Sequence, residues 1–181
     1  MGTIVFMLVV SVVLIGAFIG LNAYANAQDS VTPSQIAPED DPNRFMVTIS
    51  GEVARPGTYS LPNGAKLSEL FTSSGGTTSN ADALAYFEDI TLNAKVSYYV
   101  APLYDNGDVC SMTPISKVNI NSANATDLMT LNGVSSAISQ SILSWRTANG
   151  NFKYLEQIME VSGIGNATYT KLRNYITLRD A

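Results

Sequence analysis

The sequence predicts an α+β protein in three parts: an N-terminal apolar helix, a small β-rich domain and an all-α C-terminal domain. Three observations carry this. An uncharged apolar run opens the 181-residue chain, and alternating apolar residues bounded by turn residues fill its middle. Near the end, one apolar and glycine pattern occurs twice at an offset of thirty residues.

From Met1 to Gln28 no side chain is charged, and Ile4 to Leu21 is an eighteen-residue apolar run broken only by Ser11, Gly16 and Gly20. Roughly 20 apolar residues cross a bilayer, so residues 1–28 are expected to form a transmembrane anchor. A cleaved signal peptide is the competing reading, with Ala23-Tyr24-Ala25 and Ala25-Asn26-Ala27 as small-x-small sites. The apolar run exceeds the roughly 15 residues of a signal core and no basic residue precedes it, which favours retention. Residues 29–43, polar and carrying Pro33, Pro38, Pro42 and the run Glu39-Asp40-Asp41, read as a linker.

Residues 44–102 alternate strand and turn signals. Phe45, Val47 and Ile49 share one face of a strand, Arg55-Pro56-Gly57 turns the chain, and Tyr59 and Leu61 follow as a second strand. Leu67, Leu70 and Phe71 have helical spacing, ending near Gly75-Gly76. Ala83 to Phe87 is expected to add a helical turn, and Val96, Tyr98 and Val100 alternate as a closing strand. Residues 103–117 read as a second linker, with turn residues Asp105-Asn106-Gly107, Pro114 and an unpaired Cys110.

Residues 118–179 hold the repeat. Leu128, Leu131, Gly133, Val134 and Ile142 recur as Ile158, Val161, Gly163, Ile164 and Leu172; Met129 recurs as Met159 and Trp145 as Tyr175. Each copy predicts a short helix, a tight turn and a longer second helix. The apolar positions, Trp145 and Tyr175 included, are assigned to a shared core, Trp145 because it lies a turn beyond Ile138 and Ile142 on one helical face.

Histidine is absent and Cys110 is the only cysteine, which excludes an intrachain disulfide, a Cys/His zinc site and histidine-based catalysis. No phosphate loop or dinucleotide fingerprint is present. No enzyme activity and no cofactor are expected. The formal charge of −5 divides unevenly: residues 1–116 carry −7 and residues 117–181 carry +2. The positive share (Lys117, Arg146, Lys153, Lys171, Arg173, Arg179) lies with the repeat.

The order Ile49-Ser50-Gly51-Glu52-Val53, Pro56-Gly57-Thr58-Tyr59, Ser74-Gly75-Gly76 and Tyr99-Val100-Ala101-Pro102 resembles the SLBB domain, a β-grasp-like module of ligand binding or self-association. The repeat, with its opening Val118-Asn119-Ile120-Asn121-Ser122-Ala123, resembles the tandem helix-hairpin-helix module of the bacterial competence DNA receptor family ComEA. The order anchor, SLBB, paired hairpins is more specific than any one part. The resemblance implies a single-pass cell-membrane protein with extracellular C-terminal domains. It would bind double-stranded DNA without sequence specificity, self-associate through the SLBB domain, and pass DNA to an uptake channel protein. The alternative is a surface adhesion or scaffold protein whose SLBB domain binds glycan or protein and whose hairpins are structural.

In the DNA-binding reading, phosphates meet backbone N–H groups at the hairpin turns. The expected contacts are Gly133, Val134 and Ser135 in the first turn and Gly163, Ile164, Gly165, Asn166 and Ala167 in the second, joined by Lys171. The family's Gly-hydrophobic-Gly pattern is complete at Gly163-Ile164-Gly165, whereas Ser135 replaces the second glycine of the first copy. A lysine common early in the following helix is replaced by Ile138 and Ala167. The second turn is therefore expected to be the principal phosphate contact and the first its support.

Overall fold

Strand β1 (Arg44–Gly51) is the centre of the first domain in a computed structural model, which describes residues 41–105 and 114–180. The expected anchor, most of the linker after it, and Cys110 lie outside the described residues. Among the described residues no helix is long and apolar enough to cross a membrane. β2 (Gly57–Pro62) runs antiparallel to β1, with Val47 opposite Tyr59, and β3 (Ser97–Val100) runs parallel to β1 on its other side. The strand order is β2-β1-β3.

The period-2 pattern of these strands turns Val47, Ile49, Leu61, Tyr98 and Val100 to one face. There they are buried with Leu67, Leu70 and Phe71 of helix α1 (Leu67–Ser74). Fully burying a side chain such as Leu70 contributes about 1.5–3 kcal/mol. The Lys66 N–H donates to the Glu69 carboxylate (3.1 Å) at the start of α1, and Gly75 ends it in the left-handed region. Gly51 has φ 84°, and a Cβ there would stand 2.1 Å from the Val100 carbonyl oxygen. Only glycine lets β1 pass so close to β3. The helical turn expected at 83–87 is a 3₁₀ turn, Ala83–Ala85, whose first N–H groups are met by Asp82: its carboxylate accepts from the Leu84 N–H at 2.9 Å.

The second domain comprises β4 (Val118–Asn119), α2 (Ala125–Leu128), α3 (Ser136–Asn149), a 3₁₀ helix (Leu155–Glu160), α4 (Asn166–Leu172) and β5 (Ile176–Thr177). Both predicted hairpins are present, but the second opens with a 3₁₀ rather than an α-helix, and its second helix is the shorter one. β4 and β5 pair in parallel, Val118 with Ile176, a closure the repeat pattern does not announce. Asn121 fastens the same region. Its Oδ1 accepts from the Phe152 N–H (2.7 Å), and its Nδ2 donates to the carbonyls of Phe152 (2.9 Å) and Leu178 (3.0 Å).

The repeated apolar residues Leu128, Leu131, Ile142, Ile158, Val161 and Leu172 are buried together. Trp145 is half-buried and stacks on Phe152, ring centres 4.1 Å apart. Tyr175, assigned to the same core, is instead 45% exposed. α4 stops at Leu172, so the helical spacing that would carry position 175 onto the face of 172 is not continued.

From Asp41 onward the chain forms one compact unit, because the two domains share an interface rich in polar groups. Lys117 pairs with Asp82 at 2.6 Å, both side chains nearly inaccessible. The Leu178 N–H donates to the Leu84 carbonyl (2.9 Å), and the Arg179 guanidinium donates to the carbonyls of Ala83 and Tyr86. Tyr154 meets Tyr98 edge to face at 5.5 Å. The described ends of the 103–117 segment pair with each other, Ile115 N–H to the Leu103 carbonyl at 3.0 Å.

Candidate nucleic-acid interface

The two hairpin turns have the same backbone. Residues Leu131 to Gln140 and Val161 to Thr170 match position by position in secondary structure and in burial. Gly133 and Gly163 take φ of 91° and 94°, a region that a side chain rarely tolerates, and so reverse the chain. The next residue is an anchor. Val134 and Ile164 are buried, and their N–H groups bond back to the carbonyls of Leu131 (3.1 Å) and Val161 (3.0 Å). Both are expected from the sequence to be contact residues; with side chain buried and N–H engaged, they shape the turns and offer a ligand no free donor.

The position after it is where the copies differ in sequence and agree in geometry. Ser135 has φ −81° and ψ 170°, Gly165 has φ −96° and ψ −178°, and this extended backbone is open to any residue. A Cβ at Gly165 would meet nothing within 4 Å. Serine therefore fits the first turn without distortion, and its hydroxyl accepts from the Ile138 N–H (3.3 Å) as a helix N-cap. The inequality expected between the turns has no backbone counterpart.

The turns lie side by side. A Cβ on Gly163 would stand 3.1 Å from Cγ1 of Ile138, and one on Gly133 3.8 Å from Cγ2 of Thr168. Ile138 and Thr168 are themselves thirty residues apart, so each turn packs on the first turn of the other copy's second helix. Ile138 is thus part of this packing. Among the described residues, the N–H groups of Gly133, Ser135, Ser136 and Ala137, and of Gly163, Gly165, Asn166 and Ala167, have no acceptor within the protein. All eight residues are exposed. Hydrogen-bond donors gathered this way with no acceptor beside them favour an anion.

The basic residues are less available than their count suggests. Lys117 is paired with Asp82, and Arg146 donates to the carbonyls of Ile120 (3.1 Å) and Ala123 (2.8 Å). Arg173 lies 4.0 Å over the ring of Tyr99, and Arg179 is tied to Ala83 and Tyr86. Lys153 and Lys171 are exposed. Lys171 is four residues after Ala167 on α4, the spacing that puts both on one helix face.

A helix-hairpin-helix motif model matches residues 113–177, and an SLBB domain model matches residues 46–87. The chain is 29% identical to ComE operon protein 1 of Bacillus subtilis (strain 168) over 161 residues, covering 83% of this chain and 78% of that protein. This likeness, together with the two domains, fits the ComEA family. ComEA is thus matched through both domains together, as the order of motifs implied. Shorter likenesses extend further. An uncharacterized protein of Haemophilus influenzae is 41% identical over 61 residues, and the chain spans 54% of its length. The endonuclease/exonuclease/phosphatase family domain-containing protein 1 of Homo sapiens is 45% identical over 49 residues, only 9% of its length. A likeness so short carries no activity across.

Proposed function

We propose that this ComEA-family chain is a membrane-anchored extracellular receptor that holds double-stranded DNA by its phosphates, without reading its sequence, during competence and DNA uptake. The observation that carries the reading is the pair of adjacent turns, whose unsatisfied N–H groups at Gly133, Ser135, Ser136 and Ala137 and at Gly163, Gly165, Asn166 and Ala167 are exposed side by side. Donors arranged on backbone rather than on base-reading side chains grip any sequence alike. Lys171 adds a cation beside the second turn. With so few free cations, affinity per copy stays in the roughly 10⁻⁴ to 10⁻⁶ M range of non-specific contact. Several copies on one duplex would then act by avidity, whether arrayed on a membrane or associated through their SLBB domains. Transfer to an uptake channel completes the reading.

Gly165→Val is the decisive variant. Its valine fits the extended backbone and projects into open space where a phosphate would sit. In residues 41–181, which form one compact unit, it should weaken binding to a 30-base-pair duplex severalfold or more in a low-salt anisotropy titration, while the fold is kept and the melting temperature falls only by the small cost of a valine N-cap. Normal binding by that variant would remove phosphate capture at the turn. A surface scaffold is the second reading, favoured by the engagement of Lys117, Arg146, Arg173 and Arg179 inside the protein. Deleting the protein and scoring transformation separates them: undiminished DNA uptake supports the scaffold. Protease accessibility on whole cells, with and without residues 1–28, tests the anchor and its orientation.

A further inference from the structure

Two carboxylates are buried where the sheet domain meets the hairpins, and they are treated differently. Asp82 has Lys117 at 2.6 Å. Glu156, at the start of the 3₁₀ helix and 5% exposed, has no basic group within ion-pair distance among the described residues. Its Oε1 accepts two hydrogen bonds, from the backbone N–H of Tyr99 on β3 (2.7 Å) and from the Tyr169 hydroxyl on α4 (2.8 Å). One oxygen thus joins the sheet domain to the second hairpin. Around it, the Tyr99 hydroxyl donates to Asn174 (2.7 Å), and Arg173 covers the Tyr99 ring.

A buried carboxylate without a cation is costly, because desolvation penalises the charge and two hydrogen bonds recover only part of it. A protonated carboxyl keeps the same accepting oxygen without that penalty. We propose that the Glu156 carboxyl is a proton-operated latch: protonated, it fastens the second hairpin to β3, and on losing its proton to solvent it lets the two part. The cleft that would admit water is already present, about 430 Å³ between Ser50, Ser97 and Tyr99 on one side and Glu160, Asn166 and Arg173 on the other.

Burial pushes Glu156 up from 4.5 to about 7, against the opposing effects of the Tyr169 and Tyr99 bonds and of Arg173. The groups facing it are Tyr99 on β3, Tyr169 and Arg173 on and after α4, Tyr154 and Glu160 flanking the 3₁₀ helix, and Lys95 before β3, with Glu52 beyond Tyr99. Burial raises Tyr99, Tyr154 and Tyr169 above their ordinary value of 10.0, so none of these three changes charge between pH 5 and 8. The sign follows from a raised value in the closed state. Closure is fully supported below about 4.5, where open and closed forms both hold the proton, and the support is lost as pH rises through about 7.

The test is amide hydrogen exchange at Tyr99 in the full chain from pH 5 to 8, with Glu156→Gln as reference. Glutamine keeps an accepting oxygen and cannot ionise, so the comparison cancels the intrinsic pH dependence of exchange. The wild type should lose protection relative to Glu156→Gln by on the order of a hundredfold across that range, because a carboxyl held protonated to higher pH in the closed form favours closure about tenfold per pH step of one. Parallel profiles for the two proteins overturn the latch. Direct titration of the glutamate carboxyl carbons by NMR in the wild type decides the matter without the variant: a midpoint near 7 for Glu156 supports the latch, and one near 4.5 overturns it. Neither result depends on DNA binding.

Discussion

The two hairpins share a backbone and differ in surroundings. Counting thirty residues back, the second copy's Glu156, Tyr169, Arg173 and Asn174 correspond to Thr126, Ser139, Leu143 and Ser144 in the first. The former group meets β3; the latter includes an exposed threonine and a serine whose hydroxyl only returns to the Ser136 carbonyl (2.8 Å). The copies therefore differ on the face that docks the sheet domain, while the turns keep one backbone. A repeat can keep one feature in both copies and give another surface of one copy to assembly.

The largest break in this symmetry is expected from valine at the turn glycines. Gly163→Val combines the wrong backbone region with a Cβ 3.1 Å from Ile138, and should cost about 3 kcal/mol. Gly133→Val suffers the same backbone strain with a 3.8 Å contact to Thr168, and should cost about 2 kcal/mol. Denaturant unfolding of both variants checks the order, and a larger loss at Gly133 would contradict the packing described. Next comes the docking face. Tyr169→Phe removes a hydrogen bond to Glu156 and should cost about 2 kcal/mol, whereas Ser139→Ala should cost under about 1 kcal/mol because only a local bond is lost. Equal effects would mean that the buried bond to Glu156 is worth no more than the local bond of Ser139.

Smaller effects test the equivalence of the turns. Ser135→Gly should lose a few tenths of a kcal/mol of helix capping, and Gly165→Ser should gain about as much, read as opposite shifts in thermal midpoint. Lys171→Ala should leave stability alone and lower the salt slope of DNA binding by about 1. An unchanged slope would remove Lys171 from the contact surface.

Much of this is legible in the residues. Alternation at Phe45, Val47 and Ile49 announces β1, and helical spacing at Leu67, Leu70 and Phe71 announces α1, because one-sided burial imposes the period of each element. Gly133 and Gly163 announce the turns, since positive φ there excludes other residues. Docking is not legible. Nothing in the sequence marks Glu156, Lys117 or Arg173 as engaged, because a buried polar group is distinguished by its partners, and those lie 57, 35 and 74 positions away in Tyr99, Asp82 and Tyr99. The backbone itself does not demand the motif's second glycine: Gly165 occupies a conformation that Ser135 adopts equally well.

The parallel pairing of Val118 with Ile176 has a consequence for how the chain is made. Several of the contacts that complete the fold are carried by residues 174–179: Asn174 on Tyr99, Thr177 accepting from Ile120, Leu178 on Leu84 and Asn121, Arg179 on Ala83. During vectorial synthesis the sheet domain emerges first and can bury its own core. The hairpins, though largely translated by then, have no partner strand and no complete docking face until that stretch leaves the ribosome. Assembly is thus held open until those six residues appear.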